Sequence, residues 1–74
     1  MEQSYGQKAV GLSFNPSSDD AVAWIKQTYA DIIDHMNGVR LAHESPEIKR
    51  LASIAITEAQ TAQMWAVKAV TWKD

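Results

Sequence analysis

The sequence predicts an all-α protein: an antiparallel two-helix hairpin with an irregular N-terminal arm, assembled into a compact homo-oligomer. Two long amphipathic stretches, each preceded by a capping signal, predict the hairpin. The chain has 74 residues and no cysteine, so disulfides cannot supplement its small core. Hydrophobic residues make up 46% of the chain and include three Trp, more apolar surface than one short hairpin can bury. Further copies of the same chain are the simplest partners for burying that surface, so we expect self-association.

The first half of the predicted single domain, 1–74, contains the arm and helix one. Residues 1–17 are expected to form an irregular, non-helical arm, because two glycines and an Asn-Pro pair separate its apolar residues. Helix one is expected over residues 18–41, with Ser18 as its N-cap and acids in its first turn. Asn37-Gly38 fits a C-cap, but the apolar pattern also allows the helix to continue, and the sequence leaves both open.

Helix two is expected over residues 45–72, because Ser45-Pro46 combines a capping hydroxyl with a proline at the first helical position. Alanines recur along it at alternating steps of three and four. Such a stripe of small side chains lets two helix axes approach closely, although alanine is also simply the best helix former. The stripe consists of Ala52, Ala55, Ala59, Ala62, Ala66 and Ala69.

Composition and charge restrict the classes of function. No apolar run approaches the roughly 20 residues of a membrane span, so we expect a cytosolic protein. The net charge of −2 argues against sequence-independent binding of polymeric nucleic acid, which requires many cations to neutralise many phosphates. A small anion that needs two or three cations is still allowed.

The sequence offers no set of residues for catalysis or for metal binding. His35 and His43 lie eight residues apart and match no metal-binding motif, so we expect surface or interface histidines. Asp31 and Asp34 lie one turn apart and are most simply solvated helix charges. We therefore predict no enzyme activity, no metal and no cofactor.

Two pairs of aromatic and basic residues suggest binding instead. If the arm folds back over helix one, Phe14 and Lys26 meet on one small, planar, anionic ligand. The simpler alternative makes Phe14 a core residue and Lys26 a solvated one. On helix two, Lys68 shares a face with Trp65 in an apolar neighbourhood, where a cation needs a counter-charge or a path to water.

Residues 56–70, with the sequence ITEAQTAQMWAVKAV, resemble a known family. It is the bacteriophage anti-CBASS protein two family, whose helical hairpin is shared with the first Thoeris anti-defence protein. The segment MWAVKA, residues 64–69, is the specific part, and the capped helix one and the Phe14-Asn15-Pro16 arm fit the family's layout. The resemblance spans most of the chain, although only helix two is distinctive.

The resemblance implies a sponge that acts in the cytoplasm of the infected bacterial host. Such a protein binds cyclic di- and trinucleotide second messengers intact, for example cyclic GMP-AMP and cyclic tri-AMP, and so blocks CBASS antiphage signalling. Proteins of this family assemble as compact homohexamers, with separate pockets for the two ligand classes. The expected partners are therefore these nucleotides and further copies of the chain.

The resemblance also implies roles for individual residues. Lys26 matches the family's phosphate-binding lysine, and Phe14, with Asn15 and Pro16, takes the place of its base-stacking aromatic in the cyclic dinucleotide pocket. The family has Tyr where this chain has Phe14, which keeps stacking and loses a hydroxyl.

A second pocket, for cyclic trinucleotides, is implied at Thr28 and Lys68. Thr28 lies two residues from Lys26 and therefore points to a different face of helix one, which fits two separate sites.

Two other hypotheses remain open. A structural or protein-interaction hairpin, such as a phage adaptor, would use the alanine stripe without any nucleotide ligand. A nuclease that degrades the signal would release linear products, but the chain lacks a recognisable metal or acid–base set.

Overall fold

A computed structural model of the chain describes residues 2–16 and 18–74. Three helices follow one another: α1 (Tyr5–Ala9), α2 (Asp20–Ala42) and α3 (Pro46–Thr71). The long helices α2 and α3 are antiparallel, since Arg40 near the end of α2 donates from Nη1 to Ser53 Oγ near the start of α3, at 3.2 Å. The predicted all-helical hairpin is confirmed. Its assembly into an oligomer stays a prediction.

The N-cap of helix α2 lies one residue later than predicted. Ser18 was the wrong N-cap, because its φ of 52° lies in the left-handed region, whereas Asp19 has the extended backbone that a cap requires. Asp19 accepts a hydrogen bond from the Ala21 amide at 2.8 Å. The helix then continues through Asn37-Gly38 to Ala42, which answers the question that the sequence left open.

Helix α3 starts where the sequence predicted, with Ser45 as its N-cap and Pro46 at its first position. The Ser45 hydroxyl accepts from the Ile48 amide at 3.3 Å. In the first turn, Arg50 donates to both carboxylate oxygens of Glu47, at 2.6 and 2.9 Å, and this lowers the pKa of the Glu47 carboxyl. Both groups are exposed, so the pair adds little to the stability of the fold.

The arm contains a helix, so the prediction that all of it is irregular was wrong. Ser4 accepts from the Gln7 amide at 3.1 Å, and the Gln7 side chain accepts from the Ser4 amide at 2.9 Å, which forms a capping box. That reciprocal cap nucleates the five residues of α1. Met1 and Ser17, which the predicted arm included, lie outside the described residues.

Gly6 allows α1 to dock directly on α2. Its amide donates to Asp34 Oδ1 at 2.6 Å, and a Cβ at this position would lie only 2.1 Å from the backbone oxygen of Ala30. Only glycine permits so close an approach of the two backbones. A five-residue helix is marginal alone, so this contact with α2 stabilises the arm.

A small apolar core lies between the arm and the two long helices. Its buried members are Val10, Ala30, Ile33 and Ile56, with Ala9, Leu12, Tyr29, Met36 and Ala59 packed around them. The alanine stripe of α3 coincides with this core only in part, since Ala52 is buried but Ala69 is exposed. All three Trp are largely exposed. Within the described residues, no helix is both long enough and apolar enough to cross a membrane.

Candidate functional site

The end of the arm folds back over α2 and brings Phe14 to Lys26. The Lys26 ammonium donates to the backbone oxygens of Gly11, at 3.0 Å, and of Phe14. The same nitrogen lies 5.4 Å from the centroid of the Phe14 ring, within cation–π range. The ring itself is 73% exposed, so the alternative that made Phe14 a core residue does not hold.

Lys26 occupies a core position of α2. It lies on the buried face that also contains Val22, Ala30 and Ile33, and only 6% of it is exposed. Lysine is seldom buried this deeply without a partner, since the charged group loses its hydration. The two carbonyl oxygens replace part of that hydration, so the alternative of a solvated Lys26 fails as well.

Tight turns place these carbonyls over Lys26. Gly11 has a φ of 64°, which glycine adopts without strain, and its oxygen accepts from the Phe14 amide at 2.9 Å. The Asn15 amide group then donates to the Asp19 oxygen at 3.0 Å and accepts from the Asp19 amide at 3.3 Å. The turn after Phe14 is thereby tied to the N-terminus of α2.

Two adjoining cavities open beside this pair, and both are lined by Phe14, Lys26 and Val67. The smaller measures about 210 Å³ and also contacts Asn15 and Pro16, so all four residues predicted for the dinucleotide pocket line one cavity. The larger measures about 590 Å³, which is within the usual range for small-molecule sites. It is lined by Lys8, Ala9, Val10, Gly11, Phe14, Lys26, Gln63, Met64 and Val67.

The electrostatic character of the larger cavity is positive. In the described part of the chain, the ion pair of Glu47 with Arg50 is the only one, so no carboxylate neutralises Lys26. Lys8 adds a second, exposed cation at the cavity rim. An ammonium has three N–H groups, and two of those on Lys26 are used by carbonyl oxygens. One N–H and the whole positive charge therefore remain for an anion.

A second candidate site lies near the end of α3. Lys68 Nζ is 5.3 Å from the Trp65 ring and 5.7 Å from the Trp72 ring, and these side chains with Ala69 line a cavity of about 320 Å³. Thr28 is exposed on α2, where its hydroxyl donates to the Trp24 oxygen at 2.8 Å. Among the described contacts within one chain, none joins Thr28 to Lys68.

Gln63 is the site residue that sequence reasoning missed. It is only 6% exposed and lines the larger cavity together with Lys26. Its spacing was the available signal, because Ala52, Ile56, Ala59 and Gln63 follow one another at steps of four, three and four on one helix face.

Among residues 2–16 and 18–74, no group of three or more His, Asp or Glu side chains could hold a metal ion. Asp34, which the sequence placed one turn from Asp31, accepts a hydrogen bond from the Gly6 amide, and Asp31 accepts from Gln27 at 2.8 Å. These two carboxylates therefore have structural hydrogen bonds.

The chain matches a known protein family. A family model described as the Acb2/Tad1 hairpin domain matches residues 7–71, a range that includes every residue of the two candidate sites except Trp72. No curated protein and no solved structure matches the chain.

Proposed function

This chain belongs to the Acb2/Tad1 hairpin family, and on that premise we propose that it is a phage-encoded sponge for cyclic di- and trinucleotide second messengers. The family membership confirms the resemblance found at helix two, and an anti-defence role fits the family as a whole. In this proposal the protein acts in the cytoplasm of the infected host. It binds the messengers without cleaving them and so blocks CBASS signalling.

The observation that best supports the proposal is the buried, unneutralised ammonium of Lys26. A cation in this position is unfavourable unless an anion completes its coordination. A phosphodiester oxygen is suited to the role, since it is negatively charged and accepts the remaining N–H. Lys26 would then contact the arm and the phosphate at the same time.

The exposed ring of Phe14 provides a surface on which a base can stack. Stacking contributes roughly 1–3 kcal/mol per base, and a hydrogen bond to a charged group about 1.5–3 kcal/mol. A cyclic dinucleotide has two bases and two phosphates, so a pocket at a two-fold axis offers it two copies of each residue. The doubled set contributes on the order of 5–12 kcal/mol before ordering costs. Nanomolar binding requires about 12 kcal/mol net, so further contacts must add to it.

The shape of the chain supports the proposed self-association. Its extents are 46 × 31 × 12 Å, so it is a thin layer with two broad faces. Its radius of gyration is 13.5 Å, whereas a compact domain of this length would have about 11 Å. Exposed apolar side chains include Trp24, Leu41, Met64, Trp65 and Trp72. We propose that sister chains cover these faces in a homohexamer.

The proposed trinucleotide pocket depends on that assembly. Lys68 is a cation held between two indole rings, which suits a phosphate with a neighbouring base. Thr28 would reach the same ligand from another chain, since no hydrogen bond or cavity among the described residues joins it to Lys68 within one chain. The dinucleotide and trinucleotide sites are then separate and can be occupied together.

Calorimetry of the full chain with cyclic GMP-AMP, cyclic di-AMP and cyclic tri-AMP tests the proposal. We expect saturable heat with at least one ligand of each class. After denaturation of the complex, chromatography should recover each ligand unmodified, because capture without cleavage is the proposed mechanism. Absence of heat with all three ligands would favour the protein-interaction hairpin, and linear products would favour the nuclease.

A further inference from the structure

Gln63 has a buried polar side chain without a hydrogen-bond partner among the residues that the structure describes. It is 94% buried, being 6% exposed, and no hydrogen bond within the described residues involves its amide group. Neither amide atom is completely sealed from solvent, because no buried side-chain polar atom lacks a partner among these residues. The amide therefore retains access to the larger cavity that Gln63 lines with Lys26 and Phe14.

Gln60, on the preceding turn, shows what a structural glutamine of α3 does. Its Nε2 donates to the Ala9 oxygen at 3.3 Å and ties α3 to the arm. Gln63 makes no such contact, so its amide loses most of its hydration on folding without gaining a hydrogen bond. An apolar side chain of similar size would suit the unliganded fold better.

We propose that Gln63 binds the edge of the nucleobase that stacks on Phe14. This inference rests on the proposed function of the cavity and adds the residue that contacts the base by hydrogen bonds. Phe14 can stack on any base, and Lys26 can bind any phosphate, so neither distinguishes one cyclic dinucleotide from another. Gln63 is the remaining polar side chain among the cavity residues that are buried.

The chemistry of the amide fits a base edge. A carboxamide presents one acceptor and two donor hydrogens side by side, and adenine presents the complementary pair at its amine and N7. Both bonds form only if the base enters the cavity edge-on towards α3. The base would thereby complete the hydrogen bonding of a side chain that is unpaired in the free protein.

The first test compares Gln63→Leu with Gln60→Leu in the full chain. We expect Gln63→Leu to raise the melting temperature of the free protein, because a buried unpaired amide is removed. It should weaken binding of cyclic GMP-AMP roughly tenfold or more, because the base edge loses its partner. Gln60→Leu should lower the melting temperature instead, since it removes the contact with Ala9. Gln63→Met repeats the test with a more flexible side chain if the Leu variant does not fold.

A ligand analogue tests whether the adenine base is the group that Gln63 binds. Cyclic GMP-AMP with purine in place of adenine lacks the exocyclic amine. Wild-type protein should bind this analogue several-fold more weakly than cyclic GMP-AMP, whereas Gln63→Leu should bind the two alike.

The outcomes separate this inference from the proposed function. If the wild type binds no cyclic dinucleotide, the proposed function of the cavity fails, and the role of Gln63 fails with it. If the wild type binds and Gln63→Leu binds equally well, only the role of Gln63 is overturned. A lower melting temperature for Gln63→Leu would also overturn it, because that result marks a structural side chain.

Discussion

In the proposed site, the Lys26 ammonium binds a phosphate of the ligand. Replacing Lys26 by Met removes this ammonium and keeps most of the buried side-chain volume. Two of its N–H groups bond Gly11 and Phe14, which leaves one for the ligand. A charged hydrogen bond contributes about 1.5–3 kcal/mol, so the loss for each lysine is roughly 13- to 160-fold in affinity. Calorimetry with cyclic GMP-AMP at near-physiological salt measures it, and a melting curve shows that the variant is folded.

Lys49→Met is the matched control for this substitution. Lys49 also donates from its ammonium to a backbone oxygen, that of Arg40 at 2.6 Å, but it is exposed and lies near the connection between α2 and α3. The net charge therefore changes equally in the two variants, and only Lys26 lines the cavity. A folded Lys26→Met protein that binds within threefold of the wild type would refute the phosphate role of Lys26.

Three further predictions concern the arm and the two pockets. Gly6→Ala should unfold or displace the arm and abolish dinucleotide binding, since the added Cβ would lie 2.1 Å from a backbone oxygen. Gly38→Ala should instead stabilise the chain by about 1 kcal/mol, because no atom lies within 4 Å of the added Cβ. Thermal melts compare the stability of the two variants. Phe14→Leu should weaken the binding of cyclic dinucleotides roughly 5- to 150-fold, because stacking on the ring is lost. An unchanged affinity in calorimetry would exclude the Phe14 ring from the site. Lys68→Met should weaken the binding of cyclic tri-AMP and leave the binding of cyclic GMP-AMP unaffected. An equal loss of affinity for both ligands would mean that the two pockets are not separate.

The sequence was sufficient where the signals are local. Ser45 and Pro46 fix the start of α3 through a capping hydroxyl and a residue that needs no amide partner. The proximity of Phe14 and Lys26 was also predictable, since a short arm before α2 has few ways to fold except back over the helix. Both features depend on residues that are near one another in the chain.

The features that were missed depend on contacts between distant residues. The capping box of α1 is local, but this short helix is held in place by Gly6, which docks on α2 and bonds Asp34, 28 positions away. The burial of Lys26 and Gln63 was missed because both residue types are usually exposed, although each follows the three- and four-residue spacing of its helix's buried face. Polar residues on the buried face of a hairpin therefore need to be assigned by spacing rather than by type.

Native mass spectrometry of the full chain, mixed with cyclic GMP-AMP and cyclic tri-AMP, tests the central claim most directly, because it counts chains and bound ligands in one spectrum. We expect an oligomer, in the proposed form a hexamer, that binds both ligands together at their unmodified masses. A bare, well-folded monomer under the same conditions would contradict both the assembly and the capture of cyclic nucleotides.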